Sequence, residues 1–140
     1  MNHGIETFGF LRTCIDKRFV ETSRRKFEEA TGLLPAAYWH EAYAGGSARD
    51  PSLVGNDART GNNIYADQYA AEHGATIFGW QAHIDKCGGL PGADNMEIET
   101  ALDTHIRAMI AKYPTFQHYR LLASDRGIEI TRVHPPPARL

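Results

Sequence analysis

The sequence predicts an α/β fold: a three-layer, open, mostly parallel sheet with helices on both faces and a C-terminal pair of strands. Three observations predict it. Short β-favouring runs alternate three times with amphipathic helical segments, two more such runs close the chain around a tight turn, and no internal repeat or linker breaks the order. The 140 residues therefore read as one domain, 1–140, with 135–140 expected to be a frayed tail.

The run from Phe8 to Ile15 is apolar and β-favouring, bounded by Gly4 and by Asp16-Lys17-Arg18, and suits a buried strand ending near Cys14. Phe19, Val20, Phe27 and Ala30 recur at helical spacings among charged residues, and Gly32 supplies a stop, so 19–30 reads as a helix. After Pro35, residues 36–43 read as a second strand, which ends in Ala44-Gly45-Gly46. Residues 47–62 are rich in turn formers and read as a long loop. Asn63 is a candidate cap for a helix over 64–73 that Gly74 ends.

Residues 75–82 form the third strand-like run, with His83 expected just past its end and Cys87 in the following glycine-rich loop. Asp94 or Asn95 can cap a long helix through Ile98, Leu102, His105 and Ile106 to Tyr113, where Pro114 prevents continuation. Residues 116–123 and 128–133 then read as two strands joined by the turn at 124–127.

Composition removes several function classes. The formal net charge of -2 and the lack of long basic runs argue against a nucleic-acid partner. No apolar stretch approaches the roughly 20 residues of a membrane span, and the first residues lack the pattern of a secretory signal, so the expectation is a cytoplasmic protein without membrane association. Only 2 cysteines are present, too few for a disulfide framework; in a reducing compartment they are buried thiols, catalytic groups or metal ligands.

Ligands of open parallel sheets bind beyond the carboxyl ends of the strands. Cys14, Gly45 and His83 lie at three such ends, with Cys87 close behind. Thiolate and imidazole are donors that Zn²⁺ favours, and three protein donors with one open position is the catalytic arrangement. Cys14, His83 and Cys87 would fill it with one Zn²⁺. Two buried small hydrophobes, or a metal-free redox pair, are the other readings of the cysteines.

Asp16 and Arg18 follow Cys14 at alternate positions in Cys14-Ile15-Asp16-Lys17-Arg18. Here the chain resembles the β-class carbonic anhydrases, whose first metal cysteine sits in a Cys-x-Asp-x-Arg motif at the end of the first parallel strand. The resemblance runs over about residues 8–113, through the turn at Gly45-Gly46 to His83, Cys87 and Gly88-Gly89. It implies a β-carbonic anhydrase-like fold, zinc on Cys14, His83 and Cys87, and a dyad of Asp16 and Arg18 beside the metal. It also implies that Asp16, released from Arg18, could take the fourth metal position.

Two departures stand out. The family spacing is His-x-x-Cys, whereas this chain has His83-Ile84-Asp85-Lys86-Cys87, one residue more. The chain is also shorter than typical members, so a homo-oligomer is left open.

The implied reaction is hydration of CO₂ to bicarbonate, because zinc lowers the pKa of its water to about 7 and so supplies a nucleophile for a small electrophilic carbon. Alternatives are hydrolysis of a CO₂ analogue such as COS or CS₂, and a non-catalytic zinc or anion-binding protein of the same fold. Asp16 and Arg18 are the catalytic candidates, against the plainer reading of a surface ion pair. Gly45 and Gly46 are candidates for a substrate or oxyanion pocket. Asp85, as a partner of the His83 ring or of a loop amide, and His40, in proton transfer, are weaker candidates around the metal.

Overall fold

The computed structural model describes residues 6–49 and 66–137. It has a five-stranded sheet in the order β2-β1-β3-β4-β5. The strands are β1 (Phe8–Cys14), β2 (Tyr38–Tyr43), β3 (Ala75–His83), β4 (Gln117–Ser124) and β5 (Gly127–His134). β1 runs parallel to both β2 and β3, β3 parallel to β4, and only β5 is antiparallel. The expected α/β class and mixed sheet are thus present.

Alternate residues separate two cores. Phe10, Phe78 and Leu122 pack on one face with Ala70 of helix α2 (Ala66–Glu72) and with Ile98, Leu102 and Ile106 of helix α3 (Asn95–Lys112). Leu11, Ile77 and Leu121 pack on the other, around Phe27 of helix α1 (Val20–Thr31). Helices therefore cover both faces, as a mostly parallel sheet requires. Among the described residues no helix is long and apolar enough to cross a membrane.

The termini of the helices follow the sequence signals. Gly32 takes a left-handed φ of 76° and its N–H reaches Glu28 O. Asp94 caps α3 in a reciprocal box with Glu97.

Most boundaries lie within a residue or two of expectation, and three differences bear on the site. Pro35–Ala37 form a 3₁₀ turn, closed by Ala37 N–H to Leu34 O, because Pro35 presets the φ of a turn; β2 therefore begins at Tyr38, not at 36. β3 runs one residue further than expected: His83 is its last residue, since β4 pairs it with Ala123 and Ile84 N–H still reaches Ala123 O. Within the expected loop of 47–62, Gly46–Ala48 form a buried 3₁₀ turn. Its remainder from 50, the Asn63 cap and residues 64–65, and 138–140 of the tail lie outside the described residues.

The strand order reverses between β1 and β3, since the chain leaves β1 for β2 on one side and returns to β3 on the other. A crevice forms beyond their carboxyl ends. Cys14 and His83 end those two strands.

Candidate metal centre

Cys14, His83 and Cys87 are brought together at this crevice. Their donor atoms all lie within 4.8 Å of one another and all three residues are buried. The two cysteines are free, with Sγ atoms 3.9 Å apart.

His83 is prepared as a ligand. Its Nδ1 lies 3.1 Å from the Ile84 carbonyl, which can only accept, so Nδ1 carries the proton and Nε2 presents its lone pair. Nε2 is buried and has no hydrogen-bond partner. An unpaired buried nitrogen costs about 1–3 kcal/mol, so its persistence beside two sulfurs is what a metal site would explain. The Phe19 ring, 4.9 Å away centroid to centroid, covers the imidazole.

The sulfurs share one negative charge. The Cys87 thiol donates to Cys14 and, against burial and with help from His83 and the Asp16 and Gly45 amides, draws the Cys14 thiol down to about 4. The same contact and burial push Cys87 up, opposed by the Gly89 and Leu90 amides. Burial disfavours charge on His83, but its closeness to the Cys14 sulfur, its bond to the Ile84 carbonyl and the charges of Cys14 and Asp16 outweigh it and raise its proton affinity. The whole group attracts a cation, and its donor set could hold a metal ion.

Backbone geometry builds the cradle. Gly45, at φ 93°, donates its N–H to Cys14 Sγ at 3.4 Å. That amide serves the thiolate, where the sequence reading placed a substrate or oxyanion donor. Gly46 is buried against the strand ends: a Cβ there would lie 2.5 Å from Cys14 N and 2.7 Å from Gln81 O. Gly89 packs against the same turn, where a Cβ would meet the Ala44 carbonyl carbon at 2.3 Å. Glycine at 46 thus lets the turn after β2 close on the ends of β1 and β3, and glycine at 89 lets the Cys87 loop close on that turn.

Asp16 and Arg18 form the expected pair. Arg18 Nη2 donates to Asp16 Oδ2 at 2.9 Å, Nε bridges both carboxylate oxygens, and the Arg18 N–H donates to Oδ1 at 2.9 Å. Asp16 Oδ2 lies 3.6 Å from His83 Nε2, so the dyad adjoins the donor group. The hydrogen bonds from Arg18 outweigh a little desolvation and hold the Asp16 carboxyl down to about 2.

A depressed carboxyl contributes stability that is full above its unfolded value, about 3.9, and is lost as the pH falls through its folded value. Carboxyl NMR of the metal-free protein should therefore give Asp16 a midpoint of about 2, and Arg18→Ala should return it towards the ordinary 3.8. An unchanged midpoint in the variant would show that Arg18 does not hold the carboxylate.

Asp85 and His40 make their hydrogen bonds away from the donor atoms. Asp85 accepts from Asn95 Nδ2 at 3.3 Å and from the Asp125 N–H at 3.2 Å. Its partners are thus α3 and the β4–β5 turn, whereas the His83 ring bonds Ile84. His40 Nε2 bonds Thr13 Oγ1 at 2.9 Å, and Thr13 alternates with Cys14 along β1, so the imidazole belongs to the α1 face. Burial lowers its pKa.

The additional residue between His83 and Cys87 is absorbed by a bulge. Asp85 and Lys86 both take left-handed backbone, at φ 64° and 68°. Two consecutive non-glycine residues in that region are strained, which is common where a loop must deliver side chains to a site.

Sequence reasoning missed Gln81 and Ser23, both fully buried. The register between β1 and β3 ends at Arg12 and Trp80, and the Cys14 N–H beyond it is met by Gln81 Oε1 at 2.8 Å. Gln81 Nε2 in turn donates to Ser23 Oγ at 3.0 Å. The available signal was an amide side chain in an apolar strand two residues before His83.

No known family matches the sequence, and no curated protein is a significant sequence relative. A solved structure does resemble the fold. It is described as one of two tetrameric β-carbonic anhydrases from the filamentous ascomycete Sordaria macrospora, 13% identical, covering 98% of this chain and 84% of its own, with a TM-score of 0.50. At that identity the likeness is one of fold, a distant relationship to a β-carbonic anhydrase structure.

Proposed function

We propose that the chain is a zinc enzyme of the carbonic anhydrase type, hydrating CO₂ to bicarbonate with Cys14, His83 and Cys87 as ligands of one Zn²⁺. The observation that carries it is the buried Cys-His-Cys group, with an imidazole Nε2 that has no other partner. A zinc ion held there would supply a nucleophile from water at neutral pH and positive charge for the developing oxyanion.

The residues of the chain do the rest. Asp16 Oδ2 faces the donor group, where it can accept a hydrogen bond from water and orient it. Arg18 keeps that carboxylate ionised and fixes its direction through a forked bond. The amides of Gly45 and Asp16 spread the charge of the Cys14 thiolate and so temper its donation.

Stopped-flow CO₂ hydration with a pH indicator tests this. The zinc-loaded protein should exceed the uncatalysed rate, Cys14→Ala should not, and Arg18→Ala should lose on the order of 10²-fold, the scale of a positioned proton acceptor. A wild-type rate equal to that of Cys14→Ala would sink the enzyme reading.

A second reading, a non-catalytic zinc protein of the same fold, has one observation in its favour. Asp16 Oδ2, 3.6 Å from His83 Nε2, is close enough to complete a closed four-donor set. Tight stoichiometric zinc without activity on CO₂, COS or CS₂ would select it.

A further inference from the structure

Asp85 and Lys86 raise a question of cause. The donors His83 and Cys87 are separated by three residues, and the loop that brings them together turns left-handed at two of these, Asp85 and Lys86. Asp tolerates that region moderately, but Lys gains nothing from it. Some contact outside the loop must pin it.

The contacts that pin it come mainly from one side chain. Asn95 is the first residue of α3, and the Asp94–Glu97 capping box fixes its place. Its Oδ1 accepts the Asp85 N–H at 2.9 Å while its Nδ2 donates to Asp85 Oδ1 at 3.3 Å. Both the backbone and the side chain of the first left-handed residue are thus held by one amide. The other Asp85 oxygen accepts the Asp125 N–H from the β4–β5 turn. At the next residue, Arg18 Nη2 donates to the Lys86 carbonyl at 3.3 Å.

We propose that Asn95 is a positioning residue for the metal loop: its carboxamide locks Asp85 in the left-handed bulge that lets the His83-x-x-x-Cys87 spacing deliver both donors to one ion. The inference rests on the zinc reading above. Asn95 touches no donor atom and acts through the backbone between them. The Arg18 bond to Lys86 ties the dyad to the same bulge, so the clamp also sets where Arg18 meets the loop.

The test compares wild type, Asn95→Leu, and Asn95→Leu with Asp85→Gly. Zinc affinity is read by competition with a chromogenic chelator, and coordination by the ligand-field bands of the Co²⁺-substituted protein. Asn95→Leu should weaken zinc by roughly 10–100-fold, the scale of losing an outer partner of a ligand, and shift the cobalt bands. Because Asn95 is exposed, the melting temperature of the metal-free protein should move little. Asp85→Gly should restore part of the affinity, since glycine adopts left-handed backbone without the side-chain penalty.

Asn95→Ser, too short to span the contact, should show the same loss and guards against a perturbation by leucine. Wild-type zinc binding with unchanged affinity and bands in both Asn95 variants overturns the clamp alone. Loss that Asp85→Gly does not repair at all overturns the conformational role. A wild type that takes up neither zinc nor cobalt overturns the inference together with the metal reading.

Discussion

Cys87→Ser, purified without chelator, is expected to carry no zinc where the wild type carries about one ion per chain. The expectation follows from what each donor contributes. Cys14 and His83 end strands whose positions the sheet fixes, whereas Cys87 reaches the group through the bulged loop. Its sulfur lies 3.9 Å from the Cys14 sulfur, and burial with Cys14 as neighbour keeps it protonated in the metal-free chain. A divalent cation would release that proton, so binding should liberate protons and strengthen as the pH rises. A serine hydroxyl does not ionise near neutral pH and leaves only two strong donors, costing more than the roughly 10–100-fold of an outer-partner loss. Elemental analysis of both proteins decides it. Zinc retained by Cys87→Ser would remove Cys87 from the ligand set. No zinc in the wild type would leave the fold intact and favour a binding role or a redox role for the adjacent thiols.

Much of this arrangement was legible in the sequence because it depends on local signals. Apolar runs bounded by charges and glycines located the five strands, and Asp94 with Glu97 marked the start of α3. Cys14 and His83 could be placed at strand ends for the same reason. What stayed hidden depends on neighbours remote in sequence. Nothing in Asp85-Lys86 signals left-handed backbone, since the contacts holding it come from Asn95, Asp125 and Arg18. His40 looked available to the crevice because its strand leads there, but the register with β1 turns it to Thr13 on the α1 face. Gly45 has the turn geometry expected of a pocket, yet its amide bonds a sulfur that only the folded chain brings near.

Arg12 is the largest omission, and replacing it is the substitution expected to cost most stability. The sequence reading of the first strand gave Arg12 no role, yet its side chain is fully buried. Its Nε donates to Glu41, its Nη2 to Asp67 Oδ1 at 3.1 Å, and its Nη1 lies 3.3 Å from His105 Nε2. The guanidinium carbon is also 5.2 Å from the Trp80 ring centre and 5.3 Å from that of Phe10. Three elements other than β1, namely β2, α2 and α3, are thereby joined to it.

Arg12→Leu should destabilise the protein by about 3–5 kcal/mol, the range for removing one partner of a buried pair. The cost falls unevenly on the two carboxylates. Asp67 keeps Lys112 Nζ at 3.1 Å and the Tyr113 hydroxyl at 2.6 Å, but burial already pushes the Glu41 carboxyl up and Arg12 is the cation that opposes it. Without Arg12 the folded-state pKa of Glu41 rises further. A raised carboxyl destabilises above that pKa, and the penalty fades as the pH falls through it, because the protonated form needs no cation. Urea unfolding of the metal-free proteins should therefore show the gap between wild type and Arg12→Leu to be widest near neutral pH and narrower in mild acid. Adding Glu41→Gln should recover part of the loss at neutral pH, since the amide is neutral there. A gap independent of pH, with no recovery in the double variant, would mean that the lost packing around Trp80 and Phe10 dominates, and that Arg12 acts there chiefly as a large side chain.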